Sequence, residues 1–340
     1  MLPHSGYHWR GGSDRFFEGW YYRLTLPRIG QSFAFMYAID DPQGGTACSG
    51  GSLQVLGIDD LHLWRTIPNP RTFHASRDRL MLEHWGAAGQ GYSASDRHNK
   101  GAISDPVTSM SCRWDYHIEP IYTWGNVRDN AGQAIPTMGY LSYLPVFEPG
   151  WQILMAHGLA TGAIAWNDRV YEFDRAPAYC EKNWGRSFPQ QWFWLQCNAF
   201  SEYPDLTITV AGGIREFLGA ARSVAMVGIH YNGKLYSFMP ENSDIYCRIA
   251  PWGDWQIEAH KQEYGSPQDV CIHGTTLHRG TLIMVPRATG LEYCCRDTTR
   301  GDLKLKLNAD LQINTSSNLA ALEVGGKLWD RVWQFRSDRI

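Results

Sequence analysis

The sequence predicts an all-β protein with few short helices. Runs of alternating apolar and polar residues are typical of half-buried strands, and Leu303–Leu307 is the clearest of them. Turn-forming pairs separate apolar arms at Asn232-Gly233, Asn167-Asp168 and Gly325-Gly326, which predicts three hairpins. No long amphipathic helix is evident, and only residues 215–222 suggest one short turn of helix.

Two stretches of similar composition indicate a duplicated β unit. Phe17–Tyr21 and Cys180–Trp184 each place a tryptophan two or three residues after a glutamate. An aromatic strand follows each stretch, at Ser32–Tyr37 and Gln191–Leu195. We therefore predict two antiparallel β units of similar construction, each forming a barrel or a sandwich.

The boundary between these units is predicted where the strand pattern breaks, at Asp174–Pro177. The predicted domains are residues 1–172 and residues 173–340. A chain of 340 residues in which 44% are apolar is long enough to build two packed cores.

Charge and composition exclude several classes of function. The net charge is -3 and no basic run stands out, so nucleic acid is not an expected partner. No apolar run reaches the roughly 18 residues that a membrane-spanning helix needs. Met1–Ser5 lack the pattern of a signal or transit peptide, which predicts a soluble protein that works where it is made. The eight cysteines form no C-x-x-C pair, and we expect them to be reduced.

The signature motifs of several enzyme classes are absent from the sequence. It contains no G-x-S-x-G, G-x-G-x-x-G, phosphate-loop or H-E-x-x-H pattern. His4 and His8 have the spacing of metal ligands on a helix, but Pro3 and Gly6 argue against a helix there. We therefore expect no metal site.

The segment Tyr179–Pro189 gathers groups suited to acid catalysis. A carboxylate, an ammonium, an amide and an indole are consecutive there: Glu181, Lys182, Asn183 and Trp184. The aromatic strand that follows, with Trp192 and Trp194, is predicted to be buried on both faces. A carboxyl group in aromatic surroundings has a raised pKa, so it can donate a proton while the rings shelter the resulting cation. The simpler interpretation is an ion pair between Glu181 and Lys182.

A second carboxylate, Glu18, lies among aromatic residues near the N-terminus. Trp20 and Tyr21 follow it after Gly19, and Tyr37 lies in the next aromatic strand. A glutamate that faces a core needs a hydrogen-bond partner, from a nearby side chain or a backbone amide. The alternative is structural: Glu18 anchors the first strand and the aromatic residues fill the core.

The motifs in this chain resemble those of the tocopherol cyclase family, in the right order along most of its length. The resemblance is carried by Pro3–Trp9, Phe16–Tyr21, Ser32–Tyr37, Trp151–Gly158 and Glu181–Pro189. It implies two lipocalin-like β domains, similar in architecture to carotenoid hydratases. It also implies a cofactor-independent enzyme of vitamin E synthesis, an intramolecular lyase that closes a prenylated benzoquinol to a chromanol.

The chemistry that the resemblance implies agrees with the residues. Ring closure is redox neutral and needs a proton on the prenyl double bond, which gives a tertiary cation that the phenolic oxygen attacks. We expect Glu181 to donate this proton, ahead of Glu18. The residues expected to orient the quinol, relay its proton or line the cavity are Lys182, Asn183, Tyr21, Tyr37, Trp20, Trp184, Trp192 and Trp194.

Plant members of the family carry an organelle transit segment, whereas the motifs here begin at residue 3. This departure predicts a cytoplasmic protein, or one bound peripherally to the thylakoid membrane of a photosynthetic prokaryote. Three other functions stay open: a non-catalytic carrier of prenylquinones or pigments, a glycan-active or glycan-binding β protein, and a prenyl-chain hydratase in which water captures the cation.

Overall fold

The computed structural model describes residues 2–12, 14–125, 134–143, 148–217, 220–263, 266–327 and 329–338. Regular structure in these ranges is almost entirely antiparallel β-strand, which confirms the predicted fold class. The helices in the described ranges are single 3₁₀ turns, at Pro27–Ile29, Ile58–Asp60, Pro70–Thr72, Ala87–Gly89 and Tyr140–Tyr143. None of these turns has the length or the hydropathy of a membrane-spanning helix.

Eleven strands form the first sheet, in the order β4-β3-β2-β1-β11-β10-β9-β8-β7-β6-β5. They are β1 (Phe17–Leu26), β2 (Gln31–Asp40), β3 (Gly50–Leu56), β4 (His62–Ile67), β5 (Phe73–Ala75), β6 (Met81–Trp85), β7 (Gly91–Ser95), β8 (His98–Asp105), β9 (Met110–Tyr122), β10 (Gly150–Trp166) and β11 (Arg169–Gly185). The sheet curls until β4 meets β8, where the Arg65 guanidinium donates to Ser104 O at 2.9 Å and to Asp105 Oδ1 at 2.5 Å.

A second sheet has the order β15-β14-β13-β12-β21-β20-β18-β17-β16-β22, with β19 paired to β20. Its strands are β12 (Gln191–Cys197), β13 (Thr207–Phe217), β14 (Ala220–Tyr231), β15 (Lys234–Phe238), β16 (Asp244–Ile249), β17 (Asp254–Glu263), β18 (Ser266–Thr275), β19 (Thr281–Arg287), β20 (Gly290–Asn308), β21 (Gln312–Gly326) and β22 (Trp333–Arg336).

The chain divides into two compact units. Unit 1 consists of Met1–Phe188 with Val285–Glu292, and unit 2 consists of Pro189–Met284 with Tyr293–Ile340. The division predicted between residues 172 and 173 falls inside β11, which continues through Pro177. β11 pairs with β10 on both sides of this proline, with register shifts in the pair on either side, so the local break in the sequence pattern does not end the strand.

Two of the three predicted hairpins are confirmed. Asn167-Asp168 joins β10 to β11, and Asn232-Gly233 joins β14 to β15. The third is wrong: β21 runs on through Gly325 and Gly326 as a partner of β12, and Leu328 lies outside the described residues. The predicted helical turn at residues 215–222 is also wrong, because Arg215 and Arg222 face each other across the β13–β14 pair.

Candidate functional site

The pairing of β1 with β11 sorts the predicted site residues onto two faces of one sheet. Glu18 lies opposite Trp184 and Trp20 lies opposite Lys182, so these four side chains share the face that carries the core of unit 1. We call this the inner face. Glu181 and Asn183 alternate with Lys182 along β11 and point to the other side, which we call the Glu181 face.

An ion pair between Glu18 and Lys182 lies at the centre of the inner face. Both side chains have no exposed surface, and Lys182 Nζ lies 2.5 Å from Glu18 Oε1. Lys182 Nζ also donates to the carbonyl of Gly6 at 2.7 Å, and the backbone N–H of His8 donates to Glu18 Oε2 at 2.8 Å. The N-terminal segment that precedes β1 therefore supplies backbone partners to both buried charges.

Two histidines extend this pair into a hydrogen-bonded chain. His8 Nδ1 is 3.3 Å from Glu18 Oε1, and His8 Nε2 is 3.1 Å from His4 Nδ1. His4 Nε2 in turn lies 3.0 Å from Ser142 Oγ. The spacing that suggested a metal pair in the sequence thus serves a direct contact between the two imidazoles.

Protonation in this cluster follows from burial and from the opposing charges. Burial alone would raise the pKa of Glu18, but the Lys182 ammonium and the His8 hydrogen bond outweigh it and hold that pKa below its ordinary value. Burial lowers the pKa of Lys182, and the Glu18 carboxylate opposes this effect. Burial, with His8 and Lys182 nearby, also lowers the pKa of His4 to about 4. Glu18 is therefore ionised near neutral pH, and His4 is neutral.

Aromatic rings enclose the ion pair. The His8 ring stacks on Trp184 with 3.9 Å between centroids, and Lys182 Nζ lies 5.4 Å from the Trp184 ring and 5.6 Å from the Trp20 ring. Gly150 on β10 makes room for the Trp184 indole, because a Cβ at that position would lie 2.2 Å from Trp184 Cε2. Two of the four tryptophans predicted at the site, Trp20 and Trp184, thus face the lysine ammonium.

Tyr37 lies on the inner face too, but in a separate buried network. Its hydroxyl donates to Asn99 Oδ1 at 2.7 Å, and the Trp114 indole donates to the same oxygen at 2.8 Å. The Tyr37 ring stacks on Tyr92 with 4.1 Å between centroids. These contacts place Tyr37 in the core of unit 1.

The Glu181 face carries three of the predicted site residues. Tyr21 lies directly opposite Glu181 in the β1–β11 register, and Asn183 lies opposite Gly19. Glu181 is buried and accepts a hydrogen bond from the hydroxyl of Tyr179 at 2.6 Å. The Tyr21 and Tyr179 rings meet edge to face, 6.5 Å between centroids. A carboxyl group, an amide and two phenols therefore share this face.

The remaining predicted residues, Trp192 and Trp194, lie on β12 in unit 2. Both faces of this strand are buried, as the sequence predicted. Trp194 lies opposite Glu323 on β21, and the Trp192 indole N–H donates to Glu323 Oε1. Glu323 keeps some exposed surface, yet burial raises its pKa against the hydrogen bonds from Trp192 and Cys295. This environment favours a neutral carboxylic acid.

Sequence reasoning missed three residues of these clusters: His4, His8 and Glu323. The signal for Glu323 was its place between Leu322 and Val324 on a strand, because its side chain then points away from the two that fill the core of unit 2. The signal for the histidines was their nearness to Glu18 in the sequence. The anticipated pairing of Glu181 with Lys182 does not form, since neighbouring residues on a strand face opposite ways.

Comparison with known proteins identifies the family of this chain. A sequence profile described as "Tocopherol cyclase-like" matches residues 14–326. The chain belongs to the tocopherol cyclase-like family. Its relatives include the "probable tocopherol cyclase, chloroplastic" of Oryza sativa subsp. japonica, 35% identical over 382 residues, which cover 98% of this chain and 80% of the relative. The tocopherol cyclase of Zea mays is 34% identical over 382 residues, covering 98% and 79%.

The fold of this family member has a counterpart among solved structures. A protein from Nitrosomonas europaea with the provisional description AttH matches with a TM-score of 0.50 and 11% sequence identity. The match covers 97% of this chain and 99% of that protein. At this identity the likeness concerns the fold alone, and it agrees with the double lipocalin-like architecture that the resemblance implied.

The buried ion pair makes a testable contribution to stability. Lys182→Met leaves Glu18 charged and buried without its cation, and we expect this variant to lose about 3–5 kcal/mol of unfolding free energy in urea. The double variant Glu18→Leu/Lys182→Met should recover much of that loss.

The control is Arg175→Met on the same strand, which breaks the exposed pair of Arg175 with Glu119 and should cost about 1 kcal/mol or less. Equal losses of unfolding free energy in Lys182→Met and Arg175→Met would show that the buried pair contributes no more to stability than the exposed one.

The neutral histidine chain makes stability depend on pH. An unfolded histidine binds a proton near pH 6.5, whereas the pKa of folded His4 is about 4. Between these values the unfolded state holds more protons than the folded state. The contribution of neutral His4 to the unfolding free energy is therefore fully present above pH 6.5 and is lost as the pH drops toward 4. We expect this loss to be on the order of 1–3 kcal/mol. Urea unfolding at several pH values measures it.

His4→Gln should flatten this decline, whereas His74→Gln, at an exposed histidine of the same unit, should leave it unchanged. If His4→Gln followed the wild-type slope, the histidine chain would not be the source of the acid sensitivity.

Proposed function

We propose that this protein closes a prenylated benzoquinol, such as 2-methyl-6-phytyl-benzoquinol, to a chromanol. The observation that carries the proposal is the family match, which extends over residues 14–326 and is joined by two plant tocopherol cyclases aligned over 98% of the chain. The buried carboxyl groups set among aromatic rings are the chemistry that such a reaction requires.

The proton donor of this reaction must be a neutral carboxylic acid that reaches the substrate. Glu18 does not fit, because Lys182 holds it as a buried carboxylate. Glu181 accepts a hydrogen bond from the hydroxyl of Tyr179 and shares its face with Tyr21 and Asn183. We therefore assign the donor's role to Glu181.

The proposed steps balance without a cofactor. Glu181 gives its proton to the less substituted carbon of the prenyl double bond, which leaves a tertiary cation and a carboxylate. The phenolic oxygen of the quinol bonds to the cationic carbon and loses its proton. That proton returns to Glu181 through the hydroxyl of Tyr21, so the acid is restored and the product has the mass of the substrate. Asn183 orients the quinol by hydrogen bonding to its second oxygen.

Glu323 is the second candidate donor. Burial raises its pKa, which favours the protonated form, and the Trp192 indole fixes its orientation. Glu181 is preferred because two other predicted site residues, Tyr21 and Asn183, lie on its face. Comparing the turnover of variants at Glu181 and at Glu323 therefore tests which of the two carboxyl groups is the donor.

The reaction itself is tested by anaerobic incubation of the purified protein with 2-methyl-6-phytyl-benzoquinol, followed by chromatography and mass spectrometry. We expect a chromanol of unchanged mass. A product heavier by one water would indicate a hydratase, because water would then have captured the cation. Binding without conversion would indicate a carrier of prenylquinones.

The assignment of the donor makes a separate prediction. Glu181→Gln keeps the shape and the Tyr179 contact but has no proton to give, so turnover should fall by about 10²–10⁴-fold. Glu323→Gln should keep most of the wild-type rate. The unfolding free energies of both variants, compared with wild type, will show that each is folded. A fully active Glu181→Gln together with an inactive Glu323→Gln would move the donor to unit 2.

A further inference from the structure

Five short turns between strands of unit 1 lie at the same end of its sheet. They connect β1 to β2, β3 to β4, β6 to β7, β8 to β9 and β10 to β11. The antiparallel register fixes this arrangement: Leu26 pairs with Gln31, Asp105 with Met110 and Trp166 with Arg169, each beside its turn. The Glu18–Lys182 pair lies toward the other end of β1. We call the five turns and the residues beside them the turn rim.

The turn rim carries most of the large, exposed apolar side chains described in unit 1. Each of its turns has one, with the exposed fractions Ile29 41%, Leu61 48%, Trp85 36%, Val107 89% and Val170 60%. The two others described in this unit, Met81 and Tyr143, lie away from the rim. Single exposed apolar residues are ordinary on protein surfaces, but one at every turn of one rim is a pattern.

Hydrogen bonds join the turns of the rim to one another. Gln31 and Asp59 exchange two bonds between the first and second turns, at 3.1 and 3.2 Å. Asn167 and Ser111 exchange two bonds between the last two turns, at 2.8 and 2.9 Å. The backbone N–H of Ser104 donates to Gln90 Oε1 at 3.3 Å. The exposed side chains are therefore presented on a fixed scaffold.

The charges on the rim favour a neutral surface that carries phosphate groups. Exposed arginines sit directly beside two of the apolar residues, as Arg28-Ile29 and Arg169-Val170. Four aspartates also lie on the rim, Asp59, Asp60, Asp105 and Asp168, so the rim has no excess of positive charge. An aliphatic side chain that enters the acyl boundary beside an arginine that reaches a phosphate fits a zwitterionic phospholipid. Trp85 fits the same interface, where an indole has one apolar and one polar side.

We propose that the turn rim docks this protein on the surface of a zwitterionic phospholipid bilayer. This inference rests on the proposed function in one respect: that function explains why docking would be useful, because a substrate with a phytyl tail resides in membranes. The evidence for docking is separate and consists of the five exposed side chains and the two arginines. Docking places the protein peripherally, with the side chains of the turns inserted and the strands outside the bilayer.

The test uses the purified full chain and phosphatidylcholine vesicles without substrate, so that a failed cyclase assay does not affect it. Wild type should co-sediment with the vesicles, and high salt should change this little, because the contact is apolar. Val107→Asp/Val170→Asp should weaken binding by about tenfold or more. Both positions are exposed, so equal unfolding free energies of variant and wild type will show that folding is intact.

The matched control is Leu277→Asp, a fully exposed leucine of unit 2, which should bind as wild type does. Three outcomes would overturn the proposal: no binding of wild type to phosphatidylcholine, equal binding of wild type and the rim variant, or an equal loss in Leu277→Asp. Binding only to anionic vesicles, removed by salt, would also overturn it, since electrostatic attraction would then be the cause. With substrate added, the rim variant should turn over detergent-solubilised quinol at the wild-type rate.

Discussion

The contact between Lys182 and Glu18 constrains every account of this protein's chemistry. A carboxylate and an ammonium without exposed surface stabilise each other only while both are present. The pair therefore keeps Glu18 ionised, and it anchors the N-terminal segment through Gly6 and His8. Because Lys182 lies on the inner face, its neighbour Glu181 lies on the opposite face of the sheet. One ion pair thus keeps Glu18 ionised and separates it from Glu181.

Most of the fold could be predicted from the sequence, because strand alternation and turn chemistry are local. Asn167-Asp168 and Asn232-Gly233 each form the predicted hairpin. Predictions failed where a local signal competes with pairing from distant strands. Gly325 and Gly326 look like a turn, but β12 pairs along their whole length. Pro177 looks like a break, but β11 pairs with β10 on both sides of it.

The site could be predicted in its residue types but not in its grouping. Glu18, Glu181 and Lys182 were identified from their aromatic surroundings, yet no sequence pattern shows that a lysine pairs with a glutamate 164 positions away. That pairing depends on the register of β1 against β11, which long-range packing determines. Alternation along β11 was visible in the sequence, and it already separates Glu181 from Lys182. Glu323 was missed because a lone glutamate between apolar residues on a strand gives no sign of its partner.

The same ion pair affects which aromatic rings could contact a carbocation of the substrate. The indoles of Trp20 and Trp184 already face the Lys182 ammonium, at 5.6 and 5.4 Å. The ammonium already occupies the faces of these rings, so they are less available to a carbocation, although the Glu18 carboxylate balances its charge. We therefore expect the inner face to contribute less to stabilising the proposed intermediate. On the Glu181 face, the phenols of Tyr21 and Tyr179 lie beside the carboxyl group that we propose as the proton donor, which would become negative as the cation forms.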